Sequence, residues 1–187
     1  MLKAHREQNY YIAHPKTAST SATSALTKRN WEQLGKRHAI EPYPDLPTVN
    51  IISVIRHPMD YFVSWFCYQH RQPGSKSEEF ADWLEKFYNR YQIGGLHFYG
   101  FPLSTHVIFF HDLQRGWDAV MEDIGHDKFE LPRENGSWDR KPDIMLYYND
   151  RGMEILLRRF GDFLAWYNNV LALKGDEPFL RRGHRES

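Results

Sequence analysis

The chain has 187 residues, the size of one domain, and can bury a core without disulfides or structural metal. Its 24 Lys and Arg balance 24 Asp and Glu, so bulk charge supplies no general affinity for nucleic acid or anionic membrane. The lone cysteine, Cys67, excludes an intramolecular disulfide and a cysteine-rich zinc site.

Tyr10 to His14 is a short apolar run closed by Pro15 and reads as a strand. From Thr20 to about Leu34 the chain is rich in Ser, Ala and Leu and free of Gly and Pro, which predicts a helix stopped by Gly35. Val49 to Ile55 is apolar on both alternating faces, as in a strand buried on both sides. Pro58 stands at the first position of a predicted helix running to about Gln69.

Ser75 and Glu78 form a capping box for the next helix. There Phe80, Trp83, Leu84, Phe87 and Tyr91 recur at helical spacing and mark one apolar stripe. Thr105 to Phe110 reads as a third strand, and Leu113, Trp117, Val120, Met121 and Ile124 as a helix ending at Gly125. His126 to about Asp143 lacks periodicity and contains Pro132, Gly136 and Pro142, so it reads as a long loop. Asn149 or Asp150 caps a long final helix, and residues from about 175 to 187 are expected to fray.

No apolar run approaches the roughly 18 residues of a membrane span, and Met1 to Tyr10 has no signal-peptide core. The expectation is a single soluble, cytoplasmic domain over residues 1–187. Six Trp, eleven Tyr and twelve Phe exceed what a small core needs. Helix packing is their first use, and a ligand cleft their second.

Strands alternating with helices predict an α/β three-layer sandwich whose central sheet is mainly parallel and flanked by helices. Such sheets take ligands at the carboxyl ends of their strands. The three strand exits are His14-Pro15-Lys16, Arg56-His57-Pro58 and His111-Asp112, so two of them place a cation at that edge. That arrangement asks for an anion.

In the first exit, His14-Pro-Lys-Thr-Ala-Ser-Thr-Ser21, a strand, a turn of small residues and a helix start make an anion cradle. Lys16 adds a mobile charge, and Thr17, Ser19, Thr20 and Ser21 add hydroxyls. The arrangement is P-loop-like, yet GxxxxGK[ST] is absent, since no glycine precedes Gly35. A Ser/Thr-rich helix cap beside a solvated lysine is the plainer reading. In the second exit Arg56 ends a buried strand and Ser64 follows eight residues later, beyond Pro58. Arginine suits bidentate phosphate contact, although pairing with Asp60 would also occupy it.

Together the two motifs resemble the sulfotransferases that use 3′-phosphoadenosine 5′-phosphosulfate (PAPS), in particular the compact carbohydrate-type branch. In that family a PK[TS]xxT[ST]-like loop cradles the 5′-phosphosulfate, and an R-x-P-x(5)-S element binds the 3′-phosphate. Lys16 to Ser21 matches the first, and Arg56, Pro58 and Ser64 match the second in order and register. A weaker likeness extends to Val107–Leu113 and to Tyr147-Tyr148 with the helix after them. Family loops often have glycine where this chain has Ala18 and Ser19. The family's loop that closes over the nucleotide corresponds to Asn135 to Lys141, where Arg140 and Lys141 are phosphate-binding candidates and Trp138 a stacking one.

The resemblance implies sulfuryl transfer from PAPS to a hydroxyl or amine of a small-molecule or carbohydrate acceptor. The nucleotide product is 3′-phosphoadenosine 5′-phosphate (PAP). No metal, nucleic acid or integral membrane contact is implied. Lys16 would meet charge developing on the bridging oxygen. The acceptor's general base is among His38, Glu41 and His111, and the family's usual placement after the first helix favours His38. The alternatives are a P-loop-like small-molecule kinase and a non-catalytic nucleotide-binding module. The missing glycines and the lack of a strand-borne Asp for Mg²⁺ count against the kinase.

Overall fold

The computed structural model describes residues 1–4, 9–34, 49–70, 79–91, 103–134 and 143–182. They belong to two compact units: Met1–Arg56, Tyr99–Asn135 and Val170–Ser187 form the first, His57–Phe98 and Gly136–Asn169 the second.

The first unit is built on a six-stranded sheet. Its strands are β1 (Leu2–Ala4), β2 (Asn9–Ile12), β3 (Trp31–Gln33), β4 (Asn50–Ile55), β5 (His106–Phe109) and β6 (Phe179–Arg181), in spatial order β3-β1-β2-β4-β5-β6. β2 pairs with β4 and β4 with β5 in parallel; β1 with β2, β1 with β3 and β5 with β6 are antiparallel. Three of the five pairings are thus antiparallel, which corrects the expected mainly parallel, P-loop-like three-layer sandwich. The reason is local. Only β2, β4 and β5 are apolar enough to stand out in sequence, and the antiparallel partners are three-residue strands held by their neighbours.

Helix α1 (Ser19–Thr27) is shorter than the predicted helix. Asn30 adopts φ 61° and turns the chain, so Trp31 enters β3 opposite Ala4 instead of continuing a helix. Asparagine tolerates the left-handed region better than most residues, and Trp31, 3% exposed, gains burial in the core. Helices α1 and α4 (Leu113–Asp123) supply one core: Ala22, Ala25 and Leu26 of α1 and Trp117, Val120 and Met121 of α4 pack with Tyr11, Ile52, Val54 and Ile108 of the sheet. Tyr10, Ile12 and Ile51 cluster with Met1 and Val49 in a second core, as the two-residue alternation of a strand requires. The tail expected to fray contributes β6, in register with β5 from Ile108↔Phe179 to His106↔Arg181.

α4 spans Leu113–Asp123, and Gly125 follows with φ 79° as the predicted stop. Gly116 lets α4 approach the sheet: a Cβ there would meet Ile108 Cγ2 and the Pro178 carbonyl oxygen, each at 2.8 Å. A backbone oxygen cannot yield cheaply. Gly116→Ala is therefore expected to lower stability by about 1–3 kcal/mol, the cost of overpacking, despite alanine's better helix propensity. Urea denaturation measures it, and a midpoint at or above wild type contradicts the close packing.

The second unit holds α2 (Pro58–Gln69), α3 (Phe80–Tyr91) and, through Asn169, most of α5 (Asp150–Lys174). Pro58 begins α2 as predicted, and the predicted α3 stripe buries Phe80, Trp83, Leu84 and Phe87. Here the aromatic surplus finds its use. Phe62 lies 4.4 Å from Phe160 and 5.7 Å from Phe87 between ring centroids, and Phe80 lies 4.8 Å from Tyr148. Such ring pairs add modestly to area burial. Ser75 and Glu78 lie outside the described residues. Among the described residues, no helix is long and apolar enough to cross a membrane.

Candidate functional site

Because β2, β4 and β5 run parallel, with Ile12 opposite Ser53 and Ile55 opposite Phe109, their chains leave the sheet at one edge. The opposite edge is fastened by short-range polar pairs. Asn50 Nδ2 donates to Asn9 Oδ1 (2.8 Å), and buried His106 lies 2.8 Å from both Thr105 Oγ1 and Asp123 Oδ2. Arg181 Nη1 also donates to Asp123, at 3.1 Å. These pairs join β2 to β4, and β5 and β6 to α4, which gives His106 a structural role.

At the carboxyl edge the chain turns through residues 15–18 into α1. Lys16 (φ 62°) and Ala18 (φ 59°, ψ 18°) both occupy the left-handed region. Left-handed residues alternating with ordinary ones aim successive amides into one concavity, the backbone form that binds anions. The first bond of the helix ladder, Ala22 N–H to Ala18 O, is 3.0 Å long, so the amide dipoles ahead of it point toward the turn.

The side chains divide their work. Thr17 is fully buried and its Oγ1 donates to the His14 carbonyl oxygen (2.9 Å), so this hydroxyl shapes the turn. Ser21 Oγ accepts from the Glu134 amide (3.3 Å) and ties the 126–134 segment to the start of α1. Ser19 is buried, while Lys16, Ala18 and Thr20 are half-buried. Ala18 holds a conformation that costs an L-residue about 1–2 kcal/mol and glycine almost nothing. After the extra unfolded-state entropy of glycine, Ala18→Gly is expected to raise stability by about 0.5–1 kcal/mol. A thermal midpoint below wild type would show that the methyl group is needed.

Arg56, only 6% exposed, joins the two motifs. Its Nη1 donates to the Lys16 carbonyl oxygen at 2.9 Å, and its guanidinium carbon lies 4.1 Å from the Phe110 ring centroid. Phe110 carries no mark of this role in the sequence. Its contact follows from the β4–β5 register, which sets Ile55 beside Phe109 and hence Arg56 near Phe110, and nothing local signals it. Within the first unit the structure thus brings Lys16, Thr17, Ala18, Ser19, Thr20 and Ser21 together with Arg56. Ser64, 4% exposed, belongs to α2 in the second unit. His38, Glu41, Trp138, Arg140 and Lys141 lie outside the described residues. His111 is exposed in a 3₁₀ turn, Phe110–Asp112.

In the second unit, the start of α2 is surrounded by phenols. The Tyr148 hydroxyl donates to the Met59 carbonyl oxygen (3.0 Å), and the Tyr167 ring lies 5.0 Å from that of His57. Burial, reinforced by the charge of Asp60, raises the pKa of Tyr148 and pushes that of Tyr167 up to about 12. Both phenols are therefore protonated hydrogen-bond donors at neutral pH. No protein-family model matches the chain, and no solved structure matches it.

Proposed function

We propose that this protein is a PAPS-dependent sulfotransferase, acting on a hydroxyl or amine of a small-molecule or carbohydrate acceptor in the cytoplasm. The mixed sheet lends the reading no support, so it rests on the site. The observation that carries it is the 2.9 Å hydrogen bond from Arg56 to the Lys16 carbonyl, which joins the two resembling motifs at one sheet edge.

In this reading the turn amides and Lys16 hold the 5′-phosphosulfate end of the donor, assisted by Thr20 and Ser21. Thr17, Ala18 and Ser19 shape the turn. Arg56 and Ser64 hold the 3′-phosphate, with Arg140 and Lys141 as further phosphate ligands. Sulfuryl transfer places negative charge on the bridging oxygen as the bond to sulfur breaks, and Lys16 is the cation assigned to it. His38 takes the proton of the acceptor hydroxyl; His38→Ala, Glu41→Gln and His111→Ala compared at saturating donor test that assignment.

Calorimetry provides the test of the donor site. PAP is expected to bind markedly tighter than adenosine 5′-phosphate, by about 10–100-fold, because the latter lacks the 3′ group that Arg56 would meet. Equal affinities would remove Arg56 and Ser64 from the site. Absence of binding by both, with no sulfuryl transfer from labelled PAPS, would end the reading.

A further inference from the structure

Away from the α1 start, a second feature of the first unit has no part in that reading. Ala25, Lys28 and Arg29 on one side and Glu130, Leu131, Pro132 and Arg133 on the other line an open cleft of about 370 Å³. That volume lies in the range of small-molecule sites. Ala25 and Leu131 are buried and form its apolar part, whereas Lys28, Arg29, Glu130 and Arg133 are exposed around it.

The wall formed by residues 129–133 has no regular secondary structure, yet it is firmly held. Gln114 of α4 donates from Nε2 to the Phe129 carbonyl (2.9 Å), and its Oε1 accepts from the Leu131 amide (2.9 Å). Beyond Arg133, the Glu134 amide is tied to Ser21. Arg29 is also set in place: its Nη1 donates to the Ala25 carbonyl (3.1 Å), and its guanidinium lies 3.8 Å from the Phe129 ring centroid. Both walls are preorganised, which lowers the entropy cost of binding.

Charge decides what the cleft suits. Many surface cations of this protein are paired: Arg115 with Asp112, Lys128 with Glu122, Arg151 with Asp82, Arg158 and Arg159 with Glu85. Among the described residues, Lys28 and Arg133 carry no ion pair. The carboxyl-terminal dipole of α1 accounts for Lys28 and Arg29, but not for Arg133 on the facing wall. Three cations and one carboxylate leave a net charge of +2, which a phosphate monoester nearly cancels near neutral pH. Glu130 would repel a bare anion, but it can accept hydrogen bonds from hydroxyl groups.

We infer that the cleft binds a phosphate ester of a small polyol, with its phosphate on Lys28, Arg29 and Arg133 and its hydroxyls toward Glu130. Calorimetry on the full chain, with ribose 5-phosphate, inorganic phosphate, ribose and PAP as probes, tests this. Ribose 5-phosphate should bind and weaken with added salt, and ribose should not bind. Lys28→Gln and Arg133→Gln, at exposed positions, should each weaken ribose 5-phosphate by about tenfold, the scale of one charge-assisted contact. Glu130→Gln should strengthen inorganic phosphate and weaken ribose 5-phosphate. Neither Lys28→Gln nor Arg133→Gln should alter PAP affinity. The inference is overturned if ribose 5-phosphate does not bind, if Lys28→Gln and Arg133→Gln leave its affinity unchanged, or if Glu130→Gln moves both ligands the same way. Loss of PAP binding in Lys28→Gln or Arg133→Gln would also overturn it, by merging the cleft with the nucleotide site. Failure of PAP to bind wild type, with ribose 5-phosphate still bound, removes the sulfotransferase reading and leaves the cleft.

Discussion

Lys16→Ala is expected to slow sulfuryl transfer by about 10²–10³-fold, the usual effect of removing a group that stabilises transition-state charge. PAP affinity should fall far less, because the charge Lys16 meets develops during transfer. The substitution is clean in this fold. Alanine keeps the Cβ, so the left-handed strain at φ 62° is unchanged, and the carbonyl oxygen that accepts from Arg56 remains. Labelled PAPS and a panel of hydroxyl acceptors give the turnover, and calorimetry gives the affinity. Turnover close to wild type would show that the turn amides suffice without the lysine, or that chemistry occurs elsewhere.

Arg56→Ala should do two things at once. It removes a buried donor to the Lys16 carbonyl and a cation resting on Phe110, so stability should fall by about 2 kcal/mol. It should also reduce the preference for PAP over adenosine 5′-phosphate, because the two ligands differ only in the 3′-phosphate that this guanidinium is proposed to share with Ser64. Arg56→Lys retains the charge without the planar fork and should fall between the two. Denaturant curves and paired titrations separate the effects. A normal denaturation midpoint would contradict the structural contact, and an unchanged ligand preference would contradict the binding role.

The candidate site is partly legible in the sequence. Lys16 and Arg56 stood out because each follows a strong apolar run, and a cation directly after a buried strand has few structural uses. The contact between them was not legible, since forty residues separate them in the chain and only the β2–β4 pairing closes that distance. The roles of the small residues were harder still. Thr17 and Ser21 read alike as hydroxyl donors, yet one supports the His14 carbonyl and the other receives the Glu134 amide. Composition cannot tell a hydroxyl used by the fold from one offered to a ligand.

What the sequence determined by itself was every element whose signal is continuous and local. The both-face apolar run of β4, the proline that starts α2 and the stripe of α3 each bury a surface their own residues define. The tertiary structure alone decided the direction of the outer strands, the conversion of Trp31 from an expected helix to β3, and the left-handed turn at Ala18. It also decided the meeting of Lys28 with Arg133 across one cleft. A three-residue strand, a strained turn and a facing cation gain their stability or their purpose from distant partners. That free energy becomes available only once the sheet has assembled, and no local window of the chain contains it.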